Sequence, residues 1–273
     1  MTVVPTSGEV TLHETSGVRF GAFRCPPGNW RWTAPNAIGA RAYAVIPRVP
    51  VHIEPAGRPS VLATSAGALF YGPGSTFRRA LADPEGDRCL FLALDEPPTK
   101  WGWSQARLGS GTFALAVALE RAVTAGGDPL TLDEGVCRLV DGLCRGARMG
   151  LAGARRPLAT EQEHRTLAED AKAVLVARVR ETVRLEHVAR ALAVSPFHLC
   201  RVFRDQTGYS LHGFQIELRL RMALDRLDDF RGDLSRLAVD LGFAHHSHLT
   251  RCFRRAFGST PTDWMSTIVT APT

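Results

Sequence analysis

The chain has 273 residues, 45% of them apolar and 22% charged, with a formal net charge of +6 and a pI near 9.3. That length allows two modest domains, the apolar content excludes a disordered chain, and the basic balance points weakly toward a polyanionic partner. Six cysteines, Cys25, Cys89, Cys137, Cys144, Cys200 and Cys252, form no C-x-x-C pair, so neither a disulfide framework nor a zinc knuckle is expected and a reducing cytoplasm fits best. The N-terminal stretch carries Glu9 and Glu14 without a basic start or a sustained apolar core. The longest apolar run, residues 113–119, is far below the ~20 residues of a spanning helix, so neither export nor a membrane partner is expected.

Twelve of the seventeen prolines fall in the first hundred residues, which argues against helix there. Short β-type runs recur at residues 41–46, 50–53, 68–71 and 89–94, separated by turn signals such as Pro26-Pro27-Gly28 and Gly72-Pro73-Gly74. They predict a small β-sandwich or barrel over 1–100. His52-Ile53-Glu54 invites comparison with metal-binding sandwich enzymes, but only His13 and His52 precede His164. A multi-histidine centre cannot be assembled from two, so no metal, cofactor or enzymatic chemistry is expected. Trp30, Trp32, Phe70, Tyr71 and Phe77 are candidates to line a small-molecule cavity, and serve equally well as core.

Phe113, Val117 and Val123 mark one helix, Gly126-Gly127-Asp128-Pro129 breaks it, and Leu132, Val136, Leu139, Val140 and Leu143 mark another. The pair predicts an antiparallel hairpin over 101–149, a candidate dimerisation element. Residues 145–159 carry Gly146, Gly150, Gly153 and Pro157 with four arginines, and the linker is placed at 150–159. Thr160 with Glu163 reads as a capping box that opens a helical segment, 160–273.

That segment contains an internal repeat. His198-Leu199-x-Arg201-x-Phe203-Arg204-x-x-x-Gly208 recurs fifty positions later as His248-Leu249-x-Arg251-x-Phe253-Arg254-x-x-x-Gly258, six identities at matched spacing. Each copy is preceded by Ala-x-x-Leu, Ala189 with Leu192 and Ala238 with Leu241, and each reads as two short helices joined by a tight turn. Ser195-Pro196 supplies an N-cap with proline at the first helical position, and Leu199 with Phe203, or Leu249 with Phe253 and Phe257, turns inward. The outer sides then carry Phe197, Cys200, Arg201 and Arg204 in one copy and His246, Ser247, Thr250, Arg251, Arg254 and Arg255 in the other. A short helix with basic and polar groups outward fits a DNA major groove, where arginine pairs with guanine edges or phosphates. Between the copies, residues 211–228 read as one helix capped by Ser210, spanning about 27 Å. Successive groove faces on one side of DNA lie about 34 Å apart, so such a spacer sets both helices into successive grooves.

Arg201 and Arg251 read as DNA contacts because their placement matches. Arg204, Arg254 and Arg255 fit DNA contact or a solvated face equally, and Phe197 fits either a thymine-methyl contact or core. His245, His246 and His248 do not share a helix face, which argues against a metal. Cys200 and Cys252 read as inert half-buried thiols.

Over residues 167–264 this segment resembles the C-terminal domain of the AraC/XylS transcription regulators, through the Gly242-Phe243 turn, the Ser247-His248-Leu249-x-Arg251-x-Phe253 run and the Gly258-x-x-Pro261 ending. The resemblance implies an α+β protein, with an N-terminal cupin-like sensory sandwich or barrel and helical hairpin followed by an all-α, seven-helix double helix-turn-helix domain. It implies double-stranded DNA as partner, with contacts at Phe197, Cys200 and Arg201 and at His246, Ser247, Thr250 and Arg251. A small-molecule effector, RNA polymerase, a homodimer and an activating role also follow from resemblance. Two positions depart from the family. His245 stands where Asp or Ser is common and is expected to cap less well, leaving the helix start frayed or phosphate-directed, and Met265 replaces an arginine that contacts backbone. The competing readings are a cupin-type small-molecule enzyme and a helix-turn-helix module that binds protein.

Overall fold

A computed structural model describes residues 8–97, 101–150, 158–230 and 233–269. Two compact units divide between Ala152 and Gly153. In the first, strands of period two build two antiparallel sheets. The larger runs in the order β1 (Gly8–Thr15), β2 (Val18–Cys25), β9 (Asp87–Leu94), β4 (Ala42–Pro47), β7 (Gly67–Tyr71) and β10 (Ser104–Arg107). The smaller runs β3 (Asn36–Ala37), β8 (Thr76–Leu81), β5 (Val51–Pro55) and β6 (Val61–Ala63).

The smaller sheet buries one face: Val51, Ile53 and Pro55 on β5 and Phe77 and Arg79 on β8 are buried while their neighbours are not. Strand β9 is buried along nearly its whole length, the pattern of a central strand covered on both faces. Its Cys89, Phe91 and Ala93 join Phe23, Tyr43, Leu69, Tyr71 and Phe77 in the core between the sheets, while Leu90, Leu92 and Leu94 are buried on the opposite face. A helical hairpin, α1 (Ser110–Thr124) and α2 (Pro129–Gly150), packs against the larger sheet at β1 and β10. Asp128 starts α2 by accepting the Thr131 N–H at 2.9 Å. Arg48 reaches from the sandwich to Glu120 of α1 at 2.6 Å with its guanidinium 5.6 Å from the Phe113 ring centroid, and His13 meets Asp133 of α2 at 2.6 Å.

Three expectations change here. Residues 101–149 are not hairpin alone, because Ser104–Arg107 forms the edge strand β10 on β7. Helix α2 continues through Arg145 and Gly146 to Gly150: Gly146 lies where a Cβ would stand 3.2 Å from the Arg107 carbonyl, so this glycine lets helix and strand approach rather than ending the helix. Of the expected linker 150–159, residues 151–157 lie outside those described. Helix α3 (Leu158–Ala177) starts two residues before Thr160, which therefore sits inside the first turn and is no cap.

The second unit contains seven α-helices among the described residues. After α3 come α4 (Leu185–Ala191), α5 (Pro196–Thr207), α6 (Leu211–Arg226), α7 (Leu234–Asp240), α8 (His246–Phe257) and α9 (Pro261–Val269). Ser210 caps α6 by accepting the Gly213 N–H at 3.0 Å. The helix ends at Arg226, short of the expected Asp228, and a 3-10 turn at Asp228–Phe230 follows. Its 16 residues give about 24 Å of rise.

An ion pair lies buried in the sandwich. Arg79 donates to Asp87 at 2.8 Å, both side chains buried, with the guanidinium 4.6 Å from the Phe23 ring centroid and 5.3 Å from that of Phe77. Burial pushes the Asp87 carboxyl up to about 6, against the lowering pull of Arg79. Removing one partner leaves an uncompensated buried charge, so Arg79→Met is expected to destabilise the front unit by about 3–5 kcal/mol at a pH where Asp87 is ionised. Without the lowering pull of Arg79 the Asp87 carboxyl takes up its proton above 6, so the loss should shrink as the pH falls toward 6 and stay level below it, and Asp87→Leu in addition should restore most of it. Urea unfolding at several pH values checks this; a pH-independent loss would contradict it.

Candidate nucleic-acid interface

The two repeat copies fold as helix pairs of matching construction. In each, the first helix buries a valine or leucine and an alanine, Val188 and Ala189 on α4 and Leu237 and Ala238 on α7. The chain then passes through a left-handed residue, Ala193 at φ 53° in the first copy and Gly242 at φ 77° in the second. Each second helix, α5 or α8, has 12 residues. The Ser195 hydroxyl accepts the His198 N–H at 3.2 Å, and in the second copy His245 Nδ1 accepts the His248 N–H, also at 3.2 Å. Gly208 and Gly258 close the helices in the left-handed region, their N–H groups donating to the carbonyls of Arg204 and Arg254, each at 2.9 Å.

The expectation of a frayed start at His245 is thereby corrected. An imidazole nitrogen has the lone pair that a capping oxygen would offer, and an extended backbone, φ −166°, aims it at the helix. Nδ1 carries no proton in this arrangement. His248 packs nearly perpendicular to Phe243, ring centroids 5.4 Å apart, and burial with nearby Arg251 holds its pKa below the ordinary histidine value. His198 occupies the matching place against His164, centroids 5.7 Å apart.

Leu199, Val202 and Phe203 anchor α5, and Leu249 and Phe253 anchor α8. On the outer side of α5, Phe197, Arg201 and Arg204 are exposed and Cys200 is half-buried. Phe197 is 80% exposed, which removes the core reading of that residue. On α8, His246, Ser247, Arg251, Arg254 and Arg255 are exposed and Thr250 is half-buried. All six line one shallow depression of about 550 Å³ together with Thr260. Among the described residues its lining carries three guanidinium groups and no carboxylate, the electrostatic form of an anion site.

Thr260 is the one lining residue that sequence reasoning missed. It exchanges bonds with Asp263 at the start of α9, its Oγ1 accepting the Asp263 N–H at 3.1 Å and its own N–H donating to that carboxylate at 3.2 Å. The signal was Thr260-Pro261-x-Asp263, a capping box with proline at the first helical position. Met265 lies half-buried on α9.

The front-unit aromatics do not share one place. Trp32, Tyr71 and Phe77 belong to the core between the sheets, Trp32 also donating to the Pro26 carbonyl at 2.8 Å. Phe70, next to Tyr71 on β7, points to the other face, its ring centroid 5.1 Å from that of Trp101. Trp30 is 60% exposed.

A family model described as a helix-turn-helix domain matches residues 188–267. Over 101 residues the chain is 28% identical to the regulatory protein SoxS of Escherichia coli strain K12, covering 37% of this chain and 94% of SoxS. It is 37% identical over 106 residues to the HTH-type transcriptional regulator RipA of Corynebacterium glutamicum, covering 38% of this chain and 30% of RipA. A solved transcriptional regulator from Chromobacterium violaceum, titled as having an AraC-type DNA-binding domain, aligns at 23% identity and a TM-score of 0.35, covering 42% of this chain and 99% of that one. The matched helix pairs and the family model together make the second unit a double helix-turn-helix domain. Its likeness to SoxS and RipA agrees with the AraC/XylS resemblance.

The turn position tests the account of the repeat. A Cβ on Gly242 would stand 2.1 Å from the Arg180 carbonyl oxygen, so Gly242→Ala is expected to cost the second unit at least about 2 kcal/mol in urea unfolding. Ala193 already holds a Cβ in the left-handed region, and Ala193→Gly should be neutral or stabilising by about 0.5–1 kcal/mol. Equal effects at the two positions would contradict the difference described here.

Proposed function

We propose that the chain is a sequence-specific DNA-binding transcription regulator in which α5 and α8 are the two reader helices. The observation that carries this reading is the matched construction of the two helices, each fixed at both ends and each anchored on one side only, so that the other side is free to enter a groove. Phe197, Cys200, Arg201 and Arg204 form the face of the first reader. His246, Ser247, Thr250, Arg251, Arg254 and Arg255 form that of the second. Arginine contacts to phosphate position the protein, and contacts to base edges select the site. Phe197 offers an apolar ring suited to a thymine methyl group.

The front unit acts in this reading as the sensory or dimerising part of a one-component regulator, with activation through RNA polymerase and a cytoplasmic location as the family resemblance implies. Trp32, Tyr71 and Phe77, which share the core between the sheets, would contact a small molecule bound there; Trp30 and Phe70 would contact one only elsewhere. Members of the family are transcription regulators rather than enzymes, and we propose no catalytic activity. No helix among the described residues is long and apolar enough to cross a membrane.

Titration of the full chain against random duplex DNA over a range of salt tests the general claim, because phosphate neutralisation makes affinity fall steeply with salt. Salt-independent binding, or none, would favour a protein partner instead. On a selected genomic site, Arg201→Ala is expected to cost about 1–3 kcal/mol at one base step if Arg201 reads a base. If it touches only phosphate, the loss should be similar on all sequences, with a salt slope shallower by about one. Unchanged affinity and site preference would remove Arg201 from the interface.

A further inference from the structure

Two polar side chains lie one turn apart on α6, and neither serves solvent. Gln215 Nε2 donates to the carbonyls of Arg178 at 2.9 Å and Glu181 at 3.0 Å. Arg219, 5% exposed, donates through Nε to Val179 at 2.6 Å, through Nη2 to Glu181 at 2.6 Å and through Nη1 to Gly242 at 2.7 Å. Residues 178–184 lead from α3 into α4, the opening helix of the first copy. Gly242 is the turn of the second. One planar guanidinium therefore holds backbone from both helix-turn-helix units at once, in a fork geometry that a point-charge ammonium does not reproduce.

The same two segments touch without Arg219 between them. Gly242 approaches the Arg180 carbonyl so closely that no Cβ fits. Asp240, at the end of α7, pairs with Arg226 of α6 and lies 3.8 Å from Arg180. Burying a guanidinium against uncharged carbonyls is costly, and here desolvation pulls the Arg219 pKa below its ordinary value. Apolar side chains would fill the space with less penalty, but they would not tie three carbonyls of two separate segments to one plane.

A helix used as a spacer fixes the distance between the units it joins, yet each unit can still rock on its own packing surface. Resting on the two-reader function proposed above, we infer that Arg219 is a positioning residue for DNA recognition: it braces the first helix-turn-helix against the turn of the second, and so sets the spacing between half-sites that the protein accepts. It touches no DNA itself.

The test uses the full chain and a pool of random-sequence duplexes, with the bound fraction sequenced. The wild type should return two short motifs at a single separation. Arg219→Lys, which keeps the charge but loses the fork, should return the same two motifs at several separations. Its affinity for the single-separation duplex should drop about tenfold, while affinity for a duplex bearing one motif stays within about twofold. Retention of the single separation at full affinity would overturn the inference, as would an equal loss on one-motif and two-motif duplexes. If Arg219→Lys does not fold, Gln215→Met releases the first-copy segment from α6 and should broaden the separation in the same direction; an unbroadened distribution overturns the brace. Failure of the wild type to enrich any sequence would overturn the DNA-binding reading together with the brace, whereas the other contrary outcomes overturn the brace alone.

Discussion

Helix α6 buries Leu211, Phe214, Leu218, Leu220, Ala223 and Leu224 around most of its circumference, and α3, α5, α7 and α8 all pack on it. At about 1.5–3 kcal/mol for each large side chain withdrawn from water, this one helix gathers a large share of the apolar stabilisation in the second unit. Helices α5 and α8 depend on it indirectly. A helix of 12 residues is marginal alone, so α5 and α8 persist because Phe203 and Phe253 are buried and their ends are capped. Their outer faces contribute little to folding, and that leaves Phe197 and the arginines free to answer to a ligand. An 80% exposed phenylalanine is tolerated on a helix whose stability is secured on the other side.

The front unit spends its apolar residues differently. Its larger sheet is covered on both faces, and the space between the sheets holds the Arg79–Asp87 pair among aromatic rings. A buried pair of this kind adds little net stability and is sensitive to the loss of either member. Strand β9 joins the two parts of this interior, Asp87 and Cys89 facing the smaller sheet while Leu90 and Leu92 face away from it.

The double helix-turn-helix was legible because its determinants are local and occur twice: the inward Leu and Phe four apart, Ser195-Pro196 before one reader, and a glycine after each. What escaped depends on tertiary neighbours or on unusual chemistry. His245 caps through a ring nitrogen that the usual rank of capping residues does not anticipate. The four residues of β10 have no run of β-branched or aromatic side chains and become a strand by pairing with β7. Gly146 resembles a helix breaker until the Arg107 carbonyl is found beside it. Arg219 sits in a basic stretch with Arg221 and Arg226, and only the carbonyls of Val179, Glu181 and Gly242 distinguish it from a solvated arginine. The candidate ligand aromatics of the front unit had no comparable local signature, since a ring in a core and a ring in a cavity look alike in sequence.

In the proposed function, two helices built alike engage one duplex together. Hydroxyl-radical footprinting of the full chain on its selected site measures this directly. Two protected tracts on the same face of the helix, centred about one turn or 10–10.5 base pairs apart, are the expected result. A single tract with the flanking turn fully cleaved would mean that one unit alone touches DNA, and would contradict the account.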